Sequence, residues 1–345
     1  MMLAAILFSL MCVAQSRNVY DLFDDWSTQF HVLYRDNAHR ETVFSKWLSN
    51  HRYIEETNAR NLTYSLGHNQ FSGLDNLEFR KFLGIESERS MLDFNSGFLA
   101  RLRSVMDMNS KFIAGLITIP ASVDWVERGG VTSVKDQGQC GSCWSFSATG
   151  ALEGAYFVAT GKLQSFSEQQ LVDCDTLGNG GRDHGCNGGL MDYAFDWIHK
   201  NKGLCLEVAY PYVSGTTKGA GSCQKSCANV EGSEVITHVD ISTKSDVALM
   251  TAVDKQPVSV AIEADQRDFQ LYKSGVFTGA CGTNLDHGVL VVGYGSDGAN
   301  DYYKIKNSWS TTWGEAGYIR IGRGEQYNNG AGQCGVLLQA SYPVV

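Results

Sequence analysis

Gln137-Gly138-Gln139-Cys140-Gly141-Ser142-Cys143-Trp144-Ser145-Phe146-Ser147 is the stretch on which the reading of the whole chain turns. From Cys143 a helical pattern runs through Tyr156. Phe146, Leu152 and Tyr156 are apolar, and the small Ala148, Ala151 and Ala155 lie between them. The pattern places Cys143 at or near a helix N-terminus, where unpaired N–H groups and the helix dipole favour an anion. That setting lowers a thiol pKa and makes the sulfur a nucleophile.

A thiolate nucleophile needs a base. Downstream of residue 118 there are four histidines: His184, His199, His238 and His287. His184 sits among glycines and His199 in a charged stretch, so both read as surface residues, whereas His238 stands beside a β-like run and is compatible with either role. His287, in Asn284-Leu285-Asp286-His287-Gly288-Val289, lies where a polar turn enters a buried strand. Asn307, in Lys306-Asn307-Ser308-Trp309, comes after the next strand-like run, Tyr302 to Lys306. If those two runs pair as a hairpin, Asn307 comes beside His287 and can orient its ring.

Outward from this centre the composition divides. Of 37 Gly and 4 Pro, only five Gly and no Pro precede residue 119. Of the 37 acidic and 28 basic residues, 13 and 12 lie upstream, so the net charge of −9 falls almost wholly on the downstream part. Upstream, Tyr20 to Tyr34 and Arg40 to Asn58 carry Val43, Phe44, Trp47, Leu48 and Ile54 at helical spacing. Downstream, one strong helix precedes short β-rich runs such as Pro257 to Ile262 and Gly288 to Val292, which predicts an α+β arrangement with antiparallel strands. The acidic balance argues against a nucleic-acid binder. Met1 to Ala14 is apolar, too short to span a bilayer, and reads as a secretory signal cut near Ala14; no other run is long enough to cross a membrane. Asn61-Leu62-Thr63 is a glycosylation acceptor. Losing Cys12 with the signal leaves nine of the 10 cysteines in an oxidising compartment: eight can pair and one stays free.

Cys140-Gly141-Ser142-Cys143-Trp144 resembles the local signature of papain-family cysteine proteases. The later segments agree: Cys186-Asn187-Gly188-Gly189, Leu190-Met191-Asp192-Tyr193-Ala194-Phe195 (similar to cathepsin L), Asn307-Ser308-Trp309 and Trp313-Gly314-Glu315. Upstream, Trp47, Asn50, Ile54 and Asn58, then Gly67-His68-Asn69-Gln70-Phe71, resemble that family's inhibitory propeptide. Its usual Glu, Arg and closing Asp positions hold His39, Val43 and Gly73.

The resemblance implies a two-lobed α+β fold, one lobe helical and one an antiparallel barrel-like sheet, with the active-site cleft between. It divides the chain into a signal peptide (1–14), a mostly helical inhibitory propeptide (15–118) and a peptidase domain (119–345). It implies Cys143 as nucleophile, His287 as acid and base, Asn307 as its orienting partner under Trp309, and the Gln137 amide as an oxyanion donor. Gly188 and Gly189 become backbone partners of an extended peptide. Leu190, Met191, Ala261, Leu285 and Gly288 line the pocket for the second residue before the cut, with Gln339 at its base. A neutral amide there cannot pair with Arg as a carboxylate does, so Leu, Phe or Val is the expected preference. The resemblance also implies disulfides Cys140–Cys186, Cys174–Cys223 and Cys281–Cys334. Cys205–Cys227 would close a fourth, with the exchange Cys174–Cys227 and Cys205–Cys223 left open. The implied partners are protein or peptide substrates, the propeptide itself and cystatin-type inhibitors. The implied enzyme is a monomer without cofactor or metal, in a lysosome or vacuole or secreted.

Other readings remain. The Cys140/Cys143 pair could be a thioredoxin-type redox centre, which a disulfide between them would mark, or the fold could be a silent binding or inhibitory protein. Cys174, His184 and Cys186 could ligate a metal, but no second paired motif accompanies them. Gly293-Tyr294-Gly295-Ser296-Asp297-Gly298 fits a dinucleotide fingerprint, yet the residues after it are β-rich rather than helical, so it reads as a hairpin loop.

Overall fold

The computed structural model describes residues 18–85 and 119–345; the signal-like segment 1–14 and the stretch 86–118 lie outside the described residues. In the leader, helix α1 is Val19–Gln29 and helix α2 is Asn37–Asn58, followed by strand β1 (Tyr64–Leu66) and the short helix α3 (Asn76–Phe79). The body has β2 (Val123–Asp124), α4 (Cys143–Thr160), α5 (Glu168–Cys174), α6 (Met191–Asn201), a turn α7 (Ser214–Thr217), β3 (Thr237–Asp240) and α8 (Asp246–Lys255). It continues with β4 (Val258–Ile262), α9 (Arg267–Gln270), β5 (Tyr272–Phe277), β6 (His287–Asp297), β7 (Asn300–Lys306), β8 (Tyr318–Gly322) and β9 (Ala340–Val344).

Helix α4 is the spine. Its small residues let neighbours approach closely: Ala148 and Ala151 are fully buried, and a Cβ at Gly150 would come within 2.8 Å of the Leu290 side chain on β6. The helix ends where Gly161 takes a left-handed φ of 72°. Helices α5 and α6 pack beside it to form the helical side. The strands form one sheet in the order β1-β5-β8-β7-β6-β4-β9-β3, with β2 added on β6. All pairings are antiparallel except β5 with β8. That parallel pair departs from the antiparallel expectation. The β6–β7 hairpin supplies the long connection a parallel partner requires.

The fingerprint-like glycines lie in the β6–β7 hairpin, whose turn Gly298 makes at φ 60°. Helix α1 stops five residues before the expected Tyr34, and His31 breaks the helical path with φ 51°. Phe23, Trp26, Phe44 and Trp47 make the leader's own core between α1 and α2. The leader is joined to the body as an added strand, Tyr64 opposite Gly275 and Leu66 opposite Tyr272. Beside that seam Asp268 accepts from the hydroxyls of both Tyr53 and Tyr64. Asn50 and Asn58 hold main-chain carbonyls of the leader's second half, at Ser72, Leu74 and Leu66. Val43 and Gly73, where the resemblance expects opposite charges, face each other over Trp26: a Cβ at Gly73 would lie 2.9 Å from the Val43 methyl and 2.7 Å from the indole.

Candidate active site

Cys143 opens α4 and is fully buried, and the Gly288 N–H donates to its sulfur at 3.3 Å. His287 begins β6, and its Nε2 lies 2.8 Å from Asn307 Oδ1 across the β6–β7 hairpin. Because the amide oxygen accepts, Nε2 carries the proton and Nδ1 holds a lone pair. Nδ1 is buried without a partner, free to accept a proton. Trp309 stacks on the imidazole, centroids 4.5 Å apart. Gln137 is fully buried; Ser308 Oγ donates to its Oε1 at 2.6 Å, and its Nε2 donates to the Cys140 carbonyl at 2.9 Å.

Among the described residues the four disulfides are Cys140–Cys186, Cys174–Cys223, Cys205–Cys227 and Cys281–Cys334, and Cys143 is the free thiol. This pairing closes the alternative exchange, takes Cys140 away from a redox couple with Cys143, and removes Cys174 and Cys186 as metal ligands. His199 is exposed, whereas His184 is half-buried rather than on the surface. His238 faces Asp196 at 3.5 Å and Asp240 at 3.7 Å, an ion-pair setting away from Cys143.

The leader runs through this site. Phe82 presents its carbonyl to Gln137 Nε2 at 2.8 Å. The Gly84 and Ile85 N–H groups both donate to the Asp286 carbonyl, and Gly189 donates to the Gly84 carbonyl at 3.1 Å. Ile85 bridges Gly189 in the parallel sense. Only glycine can pass at 84, where a Cβ would meet the Gly141 carbonyl at 2.0 Å. Phe71 and Phe79 pack edge-on against Trp309 from the same side. Asp286, Phe82 and Gly84 therefore belong to the site although the sequence alone does not point to them. Their only local signal is a lone glycine in a polar-apolar tail.

Burial in the covered site opposes the expected chemistry of the thiol. Burial pushes the Cys143 pKa up to about 12, against the downward pull of the Gly288, Gly84 and Trp144 N–H groups. Burial likewise pushes His287 down to about 4, with the Asn307 bond pulling the other way. In the covered site burial therefore favours the neutral thiol and the neutral imidazole. Behind them, Lys135 binds Glu153 at 3.2 Å and Glu168 at 2.6 Å, and Lys306 reaches Thr132, a buried charged layer supporting the base of the hairpin.

Of the residues expected to bind substrate, Leu190, Met191 and Ala261 are buried, and Leu285 is half-buried. Gly288 lies between Met191 Sδ and the Cys143 carbonyl. Gln339 is half-buried and is joined to Ala261 through its main-chain carbonyl, at 2.9 Å.

Residues 119–344 match the family model described as papain family cysteine protease, and residues 23–79 match the cathepsin propeptide inhibitor domain. The chain belongs to the papain family. It is 44% identical over 308 residues to a probable cysteine protease, RD21B, of Arabidopsis thaliana, covering 89% of this chain but 62% of that relative's length. It is 43% identical over 320 residues to the senescence-specific cysteine protease SAG39 of Oryza sativa subsp. japonica, covering 92% and 88% of the two chains. Its fold resembles a recombinant stem bromelain precursor with a TM-score of 0.80 at 35% identity, covering 95% of this chain and 99% of that one. The chain is thus a papain-like cysteine peptidase in its zymogen form, with the segment 82–85 that follows the matched inhibitor domain lying across the candidate site. Among the described residues no helix is long and apolar enough to cross a membrane.

Proposed function

We propose that Cys143 attacks the scissile carbonyl as a thiolate while His287 protonates the leaving amine and then activates the water that cleaves the thioester. Asn307 holds the ring, Trp309 shields that bond, and Gln137 with the Cys143 N–H meets the oxyanion. The observation that carries this reading is the Nε2–Oδ1 bond between His287 and Asn307. It leaves Nδ1 as the free nitrogen on the residue beside Gly288, whose N–H touches the Cys143 sulfur. Cys143→Ala should abolish peptidase activity after leader removal while leaving thermal stability unchanged; retained turnover overturns the assignment.

Gly188 and Gly189 pair with an extended peptide backbone, as Gly189 does with the leader. Leu190, Met191, Ala261, Leu285 and Gly288, with Gln339 at the base, form the pocket selecting Leu, Phe or Val two residues before the cut. A positional peptide library tests this, and Arg as the best residue contradicts it. Residues 1–14 are a signal peptide, 15–118 the propeptide and 119–345 the mature enzyme, processed near 119; the family matches beginning at 23 and 119 support this division. The enzyme enters the secretory pathway toward a lysosome, a vacuole or the exterior. Asn61, exposed at a turn with φ 52°, carries a glycan. The mature enzyme is a monomer that cystatin-type inhibitors block.

A further inference from the structure

The loop carrying Gly188 and Gly189 rests on two buried carboxyl groups that the catalytic machinery does not use. Asp175, at the C-terminal end of α5, is fully buried, and Asp183 is 2% exposed. Asp175 Oδ1 accepts from the Arg182 N–H at 3.0 Å, and Asp183 Oδ1 from the Leu190 N–H at 2.9 Å. The remaining oxygen of each carboxyl is buried without a hydrogen-bond partner, the Asp183 N–H also points to the Asp175 carboxyl, and the two side chains are within hydrogen-bonding reach of each other. Two ionised carboxylates are acceptors only, so this contact is attractive only with a proton between them.

The Arg182 guanidinium is close enough to favour the charged form of both carboxyls, while Asp173 and Lys200 nearby are held by their own partners. From the same loop, Arg182 reaches Asp196 at 2.6 Å and lies over the Tyr193 ring, while His184 is half-buried nearby. Asp173 on α5 is taken by Gln169, Tyr210 and the Gly221 N–H. Lys200 on α6 holds the Gly180 carbonyl, and from α4 the uncharged Trp144 packs beside Asp183 under Gly189. Gly189 sits directly on this support: a Cβ there would lie 2.6 Å from Asp183 Oδ1 and 2.7 Å from the Trp144 ring.

We propose that Asp175 and Asp183 share one proton, and that this proton holds Gly188–Leu190 in the position that docks a peptide backbone. Asp183 is a positioning residue, acting through the Gly189 and Leu190 main chain. When the shared proton leaves to solvent, two like charges remain in a buried loop and the docking edge is displaced, so peptide binding weakens while the thiol chemistry is untouched. Burial pushes Asp175 up to about 6 and Asp183 well above the ordinary range, Asp175 being the second cause at Asp183. The proton is therefore present under acidic conditions and lost as pH rises. This inference rests on the proposed docking role of Gly189.

The test compares kcat and KM from about pH 5 to about pH 8 for acid-processed wild type, Asp183→Asn and Asp175→Asn on one peptide substrate. Asn keeps the acceptor and donates permanently to the remaining carboxylate. Wild-type KM should rise by about tenfold or more across that range, the effect of one pKa unit of coupling. In both variants KM should stay within about twofold while kcat keeps its wild-type profile. A flat wild-type KM, an equal rise in the variants, or a KM raised by the same factor at every pH overturns the proposal. If either variant fails to fold, the other decides. Failure of the protease reading itself looks different: no turnover by wild type at any pH and no loss of Cys143 thiol on alkylation.

Discussion

The leader contains an acid-sensitive element whose size can be worked out. His68 Nε2 lies 3.0 Å from His51 Nδ1, and the two rings stack on Trp47 with centroids 4.6 and 4.9 Å away. His68 Nδ1 is buried without a partner, so a second proton on His68 would have no acceptor. The charged groups nearby are Glu55 on the same helix, 3.6 Å from His51 Nε2, and Lys273 of β5, whose stem covers Gly67. Burial first and His51 second push His68 from 6.5 down to about 4. The folded leader refuses a proton that the unfolded leader accepts, so stability is intact above about pH 6.5 and lost as pH falls toward 4. At about 1.4 kcal/mol per pKa unit, the loss is on the order of 2 to 3 kcal/mol, a large share of what so small a unit can have. His68→Phe keeps the stack on Trp47 and removes the titration. In a Cys143→Ala background, which cannot process itself, leader unfolding would be followed by tryptophan fluorescence against denaturant between about pH 7 and about pH 4. The parent should lose on the order of 2 kcal/mol over that interval and His68→Phe less than about half as much. Equal losses in the two proteins refute the reasoning.

Two further outcomes concern the body. Gln137→Ala should lower kcat by about 10²- to 10³-fold with little change in KM, because its amide is worth most in the transition state; a fall under about tenfold removes it from the oxyanion site. Lys135→Met leaves Glu153 and Glu168 buried without their shared cation and should cost on the order of 3 to 5 kcal/mol in denaturant unfolding. Adding Glu168→Gln should recover part of that loss, and no recovery would mean the charges are not coupled.

The features legible in the sequence are those with local or periodic signals. The small-residue spacing from Ala148 to Ala155 marks the helix that Cys143 opens, and the β-rich runs at 288–292 and 302–306 become a hairpin that joins His287 to Asn307. The odd cysteine count singles out one free thiol, which is Cys143. What escaped the sequence lies in contacts between distant segments. Nothing local in Phe82-Leu83-Gly84-Ile85 announces that it will lie against Gln137, Asp286 and Gly189. Asp175 and Asp183 carry no sequence signal that they will be buried together. The parallel β5–β8 pair likewise depends on how a hairpin between them is folded back.

The same distance explains why the expected thiol chemistry is opposed. A helix N-terminus acts on Cys143 through fixed dipoles, but its stabilisation of an anion is worth only about 0.3 to 2 kcal/mol, whereas stripping water from a thiolate can move its pKa by several units. Gly84 fits against the Gly141 carbonyl where no side chain could, and its N–H faces the Cys143 sulfur. Inhibition thus has two parts. The leader occupies the donors at Gln137 and Gly189 that a peptide would use, and the thiol and imidazole beneath it are buried, which favours their neutral forms. Because the leader is tethered, no competing peptide at ordinary concentration displaces it readily. The leader's own fold must give way first, and His68, stacked on Trp47, is where acid is expected to act on that fold.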